Sequence, residues 1–133
     1  MNRLLVSICA FLLSFSCSSQ YSTVSDIRGA KWIAFELESM PIAQGVEIFF
    51  KLAEDGKVNG NAGCNNFFGE YTITDNSITF GMVGSTKMMC DNITYEDRFF
   101  LVLEKVSEFE YKKDQLVFTD GSGNDIAIFK KAD

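Results

Sequence analysis

The stretch that decides the fold is Ala62-Gly63-Cys64-Asn65-Asn66-Phe67-Phe68-Gly69-Glu70-Tyr71, in the middle of a chain of 133 residues. Its glycines allow sharp backbone turns, and its paired asparagines can cap or bridge backbone groups. A second distinctive stretch, Gly84-Ser85-Thr86-Lys87-Met88-Met89-Cys90, follows it downstream. Each stretch contributes one cysteine, so the two are candidates for a cross-link.

Outward from these stretches, apolar and polar residues alternate with a period of two along most of the chain. Turn signals at Asp55-Gly56, Asp75-Asn76 and Asp120–Asn124 separate the alternating segments, and such residues suit tight hairpins. We count about eight strands, joined mainly by hairpins. The pattern predicts an antiparallel sheet curled into a barrel or a sandwich.

Two details of the alternation make specific predictions about side chains. The strand predicted at 31–38 should place Trp32 and Ala34 on one face and Phe35 and Leu37 on the other. Phe-Phe pairs occur at 49–50 and 67–68. In each pair one ring should enter the core, and the other should be exposed or covered by a neighbour.

One segment has a helical period instead. An amphipathic stripe predicts a helix over 94–106 that packs on the sheet; it consists of Tyr95, Phe99, Val102, Leu103 and Val106. Thr94 and Asp97 have the spacing of a capping box, with Asp in place of the usual Glu. The predicted fold class is therefore α+β, a barrel-like sheet with one main helix.

Composition and charge exclude several classes of protein. The chain carries 12 Lys and Arg against 18 Asp and Glu, a net charge of −6, which disfavours nucleic acid as a partner. It has no histidine, so the commonest general base, His-containing triads and most catalytic zinc sites are excluded. We therefore expect no catalytic residues, no metal site and no cofactor.

The first residues are typical of an export signal. Arg3 is followed by an apolar run from Leu4 to Leu13, which as a helix would span only about 15 Å, half the hydrocarbon core of a bilayer. A basic start, a short apolar run and then small residues are the pattern of a signal peptide. We expect residues 1–16 to be this signal and the protein to be exported to the cell envelope.

Cys17, within Ser14-Phe15-Ser16-Cys17-Ser18-Ser19, resembles the lipidated cysteine of a bacterial lipobox, although Ser14 stands where a leucine is usual. Lipidation would place the protein at a membrane, as an outer-membrane lipoprotein facing the periplasm or the surface. The alternatives are ordinary cleavage with secretion and a retained anchor helix. Residues 17–28 are predicted to be a flexible tether and 29–133 the domain. The mature chain would have 11 cations, 18 anions and a charge of −7, which predicts repulsion from anionic membranes.

Cys64 and Cys90 are the cysteines of the predicted domain. Because export leads to an oxidising compartment, a disulfide is the first interpretation, and closing a loop of about 27 residues would contribute roughly 3.5 kcal/mol. Two buried free thiols and a metal pair are the alternatives. The metal pair is the weakest, since two thiolates cannot complete a zinc shell.

Together these motifs resemble the META domain of bacterial HslJ-type heat-inducible lipoproteins, over about residues 29 to 130. The matching positions are Trp32, Gly63, Cys64, Asn65, Phe67, Gly69, Tyr71, Thr86, Met88, Cys90 and Glu96. The resemblance implies a small α+β domain whose antiparallel sheet wraps one helix. It also implies an envelope lipoprotein of the heat-shock or antibiotic-tolerance type, and it supplies no catalytic residue set, so the motif residues are expected to be structural.

The leading hypothesis from the sequence is a non-enzymatic, lipid-anchored, monomeric binding or stress-protection module. Its partners would be the membrane, through the lipid, and an envelope protein or a small apolar ligand at an exposed strand edge or apolar patch. The alternative is a small secreted or periplasmic inhibitor of a hydrolase, which an exposed rigid loop at 64–68 would favour. Ser85 with Lys87 as a dyad, and a calcium loop at 120–125, are weaker candidates.

Overall fold

The structure is a computed structural model that describes residues 24–133. The predicted signal peptide and Cys17 lie outside the described residues. The helices are α1 (Val24–Ile27) and α2 (Ile93–Lys105). The strands are β1 (Lys31–Leu37), β2 (Met40–Pro41), β3 (Phe49–Leu52), β4 (Lys57–Asn61), β5 (Asn66–Thr74), β6 (Ser77–Phe80), β7 (Gly84–Ser85), β8 (Val106–Lys112), β9 (Gln115–Asp120) and β10 (Asp125–Lys131).

Eight of these strands form a closed antiparallel barrel. Their order is β1-β3-β4-β5-β6-β8-β9-β10, and β10 pairs back with β1. The two-residue strands β2 and β7 pair at the margin with β1 and β5. The α+β prediction of a curled sheet of about eight strands with one main helix is confirmed.

The barrel has two ends that are built differently. At one, the hairpin end, lie α1, the turns β3–β4, β5–β6 and β8–β9, and the last residues of β10. At the other, the helix end, lie the loops 62–65 and 81–92, the helix α2 and the turn 121–124. The hairpin signals predicted at Asp55-Gly56, Asp75-Asn76 and Asp120–Asn124 all coincide with turns between paired strands.

The core is built largely from phenylalanine rings. The centroid of Phe129 lies 4.9 Å from that of Phe50 and 5.0 Å from that of Phe118. From α2, Phe99 reaches into this cluster and lies 5.2 Å from Phe67. All five rings are buried, and burial of each such side chain contributes about 1.5–3 kcal/mol. The helix therefore closes one end of the barrel with its apolar face.

The two phenylalanine pairs follow their prediction. Phe50 and Phe67 are buried. Their neighbours point outward: the Lys31 Nζ lies 4.1 Å from the centroid of the Phe49 ring, whereas Phe68 is 65% exposed. One outer ring is thus covered by a cation, and the other is open to solvent.

Strand β1 departs from its predicted faces. Trp32, Ala34 and Leu37 are all buried, whereas Phe35 is 49% exposed. The cause is a β-bulge, since Ala34 pairs with Phe129 and Glu36 pairs with the next residue, Ile128. The extra residue reverses the alternation and turns Leu37 inward, so the prediction that Leu37 shares a face with Phe35 is wrong.

The ends of the predicted helix and domain also shift. Helix α2 begins one residue before the predicted 94, and its N-cap is Asn92 without a side-chain capping bond. The Asn92 Nδ2 donates to the Gly63 carbonyl instead, 3.0 Å away, so the capping box at Thr94 is wrong. At the domain's start Ile27 is buried and its carbonyl accepts a hydrogen bond from Trp32 Nε1 at 2.8 Å. The folded unit therefore includes α1, within the stretch 17–28 that was predicted to be a tether.

Among the described residues, no helix has the length and apolar character needed to cross a bilayer.

Candidate functional site

The motif residues meet at the helix end, around the side chain of Asn65. Its Oδ1 accepts hydrogen bonds from the Met88 backbone N–H at 2.7 Å and the Thr86 hydroxyl at 2.8 Å. Its Nδ2 donates to the Met88 carbonyl at 3.1 Å and to Glu96 Oε1 at 2.9 Å. Asn65 is only 2% exposed, so one amide satisfies groups from the loop 81–92 and from the helix.

Glu96 completes this arrangement from the first turn of α2. Its Oε2 accepts a hydrogen bond from the Asn65 backbone N–H, 2.7 Å away. The carboxyl is buried at 6% exposure, and both of its oxygens have a donor. A buried carboxylate needs such donors to offset the loss of water. We call Asn65, Thr86, Met88 and Glu96 the polar node.

A covalent bond stands beside the polar node. Cys64 and Cys90 form a disulfide with their Cα atoms 5.8 Å apart. Gly63, which precedes Cys64, has φ of +106°, a conformation that favours glycine. Its amide donates to Asn61 Oδ1 at 2.8 Å. The disulfide and the polar node together tie the loop 81–92 to the turn before β5.

Other motif residues lie away from the polar node and have separate structural reasons. A Cβ on Gly69 would stand 2.9 Å from the Met82 carbonyl oxygen, so only glycine fits there without a shift. Tyr71 donates from its hydroxyl to the Ala53 carbonyl at 2.5 Å and accepts from Arg28 Nε at 2.9 Å. Burial raises the pKa of the Tyr71 phenol. Trp32 and Phe67 belong to the core.

A groove of about 630 Å³ opens between α2 and the segment 80–87. Its volume is within the range of small-molecule sites. The apolar part of its lining consists of Phe80, Met82, Val83, Phe100 and Leu103. The polar part consists of Ser85, Lys87, Glu96, Asp97 and Glu104, with Gly81 between the two. The groove thus joins apolar side chains to four charged groups.

Negative charge predominates along the helical wall of this groove. Asp97 and Glu104 are exposed there, and Lys87 faces them from the loop. The two cations of α2 are engaged elsewhere, since Lys105 Nζ lies 2.7 Å and Arg98 3.8 Å from the carboxylate oxygens of Glu38. The groove therefore has an apolar floor and an acidic wall.

A second, shallower groove of about 740 Å³ lies on the outer face of β4 and β5. Met82 lines both grooves and is 96% exposed. The exposed ring of Phe68 lies over Gly84, where an added Cβ would stand 2.8 Å from the ring. Of the two outcomes predicted for an outer phenylalanine ring, exposed or covered by a neighbour, Phe68 shows the first.

The sequence did not predict the groove beside α2. It exists because β5 pairs with β6 only from Tyr71 to Thr74 and then with β7 at Phe67 and Phe68. The chain between the two short strands, 81–83, leaves the sheet and forms the wall opposite the helix. No residue pattern in 80–87 marks this departure.

The calcium-loop candidate at 120–125 has a structural role, whereas Ser85 and Lys87 line the groove beside α2. Asp120 accepts hydrogen bonds from the backbone amides of Ser122 and Asn124 at 2.9 and 3.0 Å, and these bonds lower the pKa of its carboxyl. The side chain thus closes the β9–β10 turn. Within residues 24–133, no cluster of three or more potential ligands could hold a metal ion.

Comparison with known proteins agrees with this architecture. A family model of the META domain matches residues 25–133. Among curated proteins, none matches the sequence.

Solved structures with the same fold are distant in sequence. An NMR structure of a protein from Burkholderia xenovorans has a TM-score of 0.65 at 22% identity, covering 81% of this chain and 85% of that one. A second NMR structure has a TM-score of 0.67 at 17% identity, covering 82% and 94%. A crystal structure of a DUF4847 family protein from Bacteroides vulgatus has a TM-score of 0.62 at 11% identity, covering 82% and 98%.

The chain belongs to the META domain family, since the family model spans nearly the whole described region.

Proposed function

We propose that this META domain protein is a non-enzymatic binding module of the cell envelope, held to a membrane by a lipid on Cys17. Its binding site is the groove between α2 and the segment 80–87. The ligand is a small apolar molecule, or an apolar peptide segment, that carries a positive charge. The single observation behind the proposal is the combination of an apolar floor with an acidic wall in a groove of about 630 Å³.

The chemistry of the ligand follows from the two parts of the lining. Phe80, Val83 and Phe100 offer apolar contact, which favours a ligand that loses hydration there. Asp97 and Glu104 place exposed carboxylates beside that floor. A cation near them gains attraction that water and salt only partly screen. A neutral apolar ligand would gain only the first contribution, and an apolar anion would be repelled.

The polar node supports binding over catalysis. Glu96 lines the groove, but both of its oxygens accept hydrogen bonds from Asn65. A carboxylate held this way is suited to fixing the helix against the loop. With no histidine in the chain, the groove is proposed to select a ligand by shape and charge, without chemical conversion of it.

The hydrolase-inhibitor alternative receives less support. It needs the loop at 64–68 to project as a rigid, accessible element, as inhibitory loops must enter a foreign active site. Cys64 and Asn65 are 6% and 2% exposed, while Phe68 is the exposed large apolar side chain of the loop. Burial of Cys64, Asn65 and Phe67, together with the placement of residues 66–68 in strand β5, argues against insertion into an enzyme.

A pair of probes with matched shape and opposite charge tests the groove. Tetraphenylphosphonium and tetraphenylborate differ mainly in the sign of their charge, so we expect the cation to bind and the anion to bind at least about tenfold more weakly. Amide shifts in a nuclear magnetic resonance titration should appear at Val83 and Phe100. Glu104→Gln should weaken cation binding by about two- to fivefold. Glu108→Gln, outside the groove lining, is the matched control.

Equal binding of the two probes, or shifts centred on another surface, would contradict the proposed site. A cation effect that persists unchanged in Asp97→Asn/Glu104→Gln would contradict the role of the acidic wall.

The anchor is tested separately in cells. The wild-type protein should partition with membranes, whereas Cys17→Ala should be released into the soluble fraction after export. Ser18→Ala, one residue away, is the control and should remain with membranes. If Cys17→Ala partitions like the wild type, the lipid anchor is wrong.

The stress-protection role rests on the family resemblance and has its own test. Loss of the protein should reduce survival during heat shock or exposure to an amphiphilic cationic antibiotic, and the wild-type chain should restore survival. If the groove carries that role, Asp97→Asn/Glu104→Gln should restore it poorly. Full survival without the protein under both stresses would contradict it.

A further inference from the structure

The described cations divide into those held by ion pairs and those that are not. Five ion pairs engage Arg28, Lys31, Lys57, Arg98 and Lys105. Six lysines of residues 24–133 lie outside those pairs, and four of the six are Lys112, Lys113, Lys130 and Lys131. We call these four the lysine patch.

The backbone brings the lysine patch together at the hairpin end. Gln115 pairs with Lys112 across the β8–β9 hairpin and with Lys130 across β9–β10. The Lys131 amide donates to the Asp114 carbonyl at 2.9 Å. All four lysines are exposed, but the Lys130 Nζ lies 3.7 Å from the centroid of the Phe35 ring, so Lys112, Lys113 and Lys131 are the members without that contact. Like charges this close repel one another, and an anionic surface would remove that cost.

The start of the folded chain lies at the same end of the barrel. Trp32 pairs with Lys131, and the Ala132 amide donates to the Lys31 carbonyl at 2.9 Å. The indole of Trp32 also bonds to Ile27 in α1. Cys17 precedes Val24 by seven positions, which even a fully extended chain spans in at most about 25 Å.

We propose that the lysine patch docks the anchored domain onto the anionic phospholipid headgroups around its own lipid. The inference rests on the lipid anchor proposed above. With the hairpin end against the bilayer, α2 and its groove face away from the membrane toward ligand. The patch thereby gives the tethered domain an orientation.

This arrangement revises the repulsion that the net charge predicts. Salt screens charges beyond about 8–10 Å, so a headgroup layer responds to the nearest side chains more than to the total of −7. Each lysine near an anionic surface favours contact about fivefold. Asp114 and Asp133 adjoin the patch, and Glu54, Asp55 and Asp75 lie in the other turns of the hairpin end. The attraction is therefore expected from the β8–β9 turn and the end of β10, and not from the whole hairpin end.

The test couples the chain that begins at Cys17 to vesicles through a maleimide lipid. Cys17 supplies the thiol, because Cys64 and Cys90 are bonded to each other. Acetylation rates of each lysine are then compared on phosphatidylcholine vesicles with and without phosphatidylglycerol. We expect acetylation of Lys112, Lys113 and Lys131 to slow at least about fivefold on the anionic vesicles, to recover in high salt, and to leave Lys87 unchanged.

Charge reversal provides the matched comparison. Lys131→Glu should restore fast acetylation of Lys112 and Lys113 on anionic vesicles, whereas Lys87→Glu at the helix end should preserve their protection. Equal acetylation on both vesicle types, or protection of Lys87 in place of the patch, would overturn the orientation. Because the coupling is chemical, this outcome is independent of the cellular test of Cys17. Equal acetylation on both vesicle types would contradict the lysine patch but not the lipid anchor. Conversely, membrane partitioning of Cys17→Ala in cells would contradict the lipid anchor but not a positive vesicle result.

Discussion

The hairpin end and the helix end of the barrel reach order by different means. At the hairpin end, short turns suffice, with left-handed conformations at Gly56, Asp75, Lys113 and Asp114. At the helix end, the loop 81–92 has almost no regular structure, and a disulfide and the polar node hold it. The turns of the hairpin end are encoded locally, whereas the loop of the helix end depends on contacts between residues 21 to 31 positions apart.

This difference indicates which substitutions should destabilise the fold most and which end of the barrel can bind a ligand. A substitution in a hairpin turn is expected to affect mainly the two strands that the turn joins. A lost contact in the polar node releases the loop that forms one wall of the groove. The groove therefore depends on a few long-range contacts, and predictions about them should separate the two ends.

The largest effect is expected from Asn65→Ala. It leaves Glu96 Oε1, the Met88 backbone groups and the Thr86 hydroxyl without their side-chain partner, although Glu96 Oε2 keeps the Asn65 backbone amide. The free energy of unfolding should fall by about 3–5 kcal/mol. Urea unfolding measures this change. Asn66→Ala is the control, because that exposed side chain bonds only with Asn61 among the described contacts and should cost less than about 1 kcal/mol. Equal losses in the two variants would contradict the role of the polar node.

Removal of the disulfide should come next. In Cys64→Ala/Cys90→Ala the loop between residues 64 and 90 is no longer closed, so the unfolded chain gains conformational entropy. The free energy of unfolding should therefore fall by about 3–3.5 kcal/mol. Hydrogen exchange should accelerate first at residues 84–92 and remain slow in β9 and β10. Uniform acceleration along the chain would mean that the disulfide does not restrain the helix end in particular.

At the hairpin end, Tyr71→Phe should have a smaller effect. It removes the bonds to Ala53 and Arg28, which contribute about 1 kcal/mol in total. Since burial raises the pKa of the folded phenol above its usual value of 10.0, this contribution is complete below that pH and is lost as pH rises through the folded pKa. The difference in unfolding free energy between the wild type and Tyr71→Phe should therefore become smaller when unfolding is measured at alkaline pH. A difference in unfolding free energy between the wild type and Tyr71→Phe that grows with pH would contradict this prediction.

The smallest effect is expected at the tip of the β9–β10 hairpin. Hydrogen bonds lower the pKa of Asp120 below 3.8, so its contribution is present above that pH and disappears as pH falls through the folded pKa. Asp120→Ala should lower the melting temperature slightly near neutral pH, and the difference should vanish in acid. Asp125→Ala in the same hairpin is the control. A difference that persists unchanged at low pH would exclude this role of Asp120.

The sequence predicts what is local and misses what depends on distant partners. The period-two strands, the helix and the turns at Asp55-Gly56 and Asp75-Asn76 follow from residue spacing. The strands expected at about 108–112 and 115–119 leave Lys113-Asp114 as their connection, but its left-handed conformation has no strong sequence signal. The bulge in β1 was missed, since it arises from register with β10.

The candidate site was only half predicted. The resemblance named the members of the polar node, with Asn65 as a motif position and Asn66 not, but it did not show which groups Asn65 contacts. Asn65 is buried among three elements, and Asn66 is exposed. The groove depends on the point along β5 where its pairing partner changes from β6 to β7. The lysine patch depends on which strand ends lie next to each other in the closed barrel. Neither arrangement is visible before the barrel closes.

The central claim is that long-range restraints at the helix end shape a groove for an apolar cation. Titration of tetraphenylphosphonium into the oxidised protein and into Cys64→Ala/Cys90→Ala tests it most directly, at a temperature where both remain folded. We predict binding at Val83 and Phe100 in the oxidised protein and affinity at least about fivefold weaker in the variant, because a released wall spends less time in the binding conformation. Equal affinity in both proteins, or no binding to the oxidised one, would contradict the account.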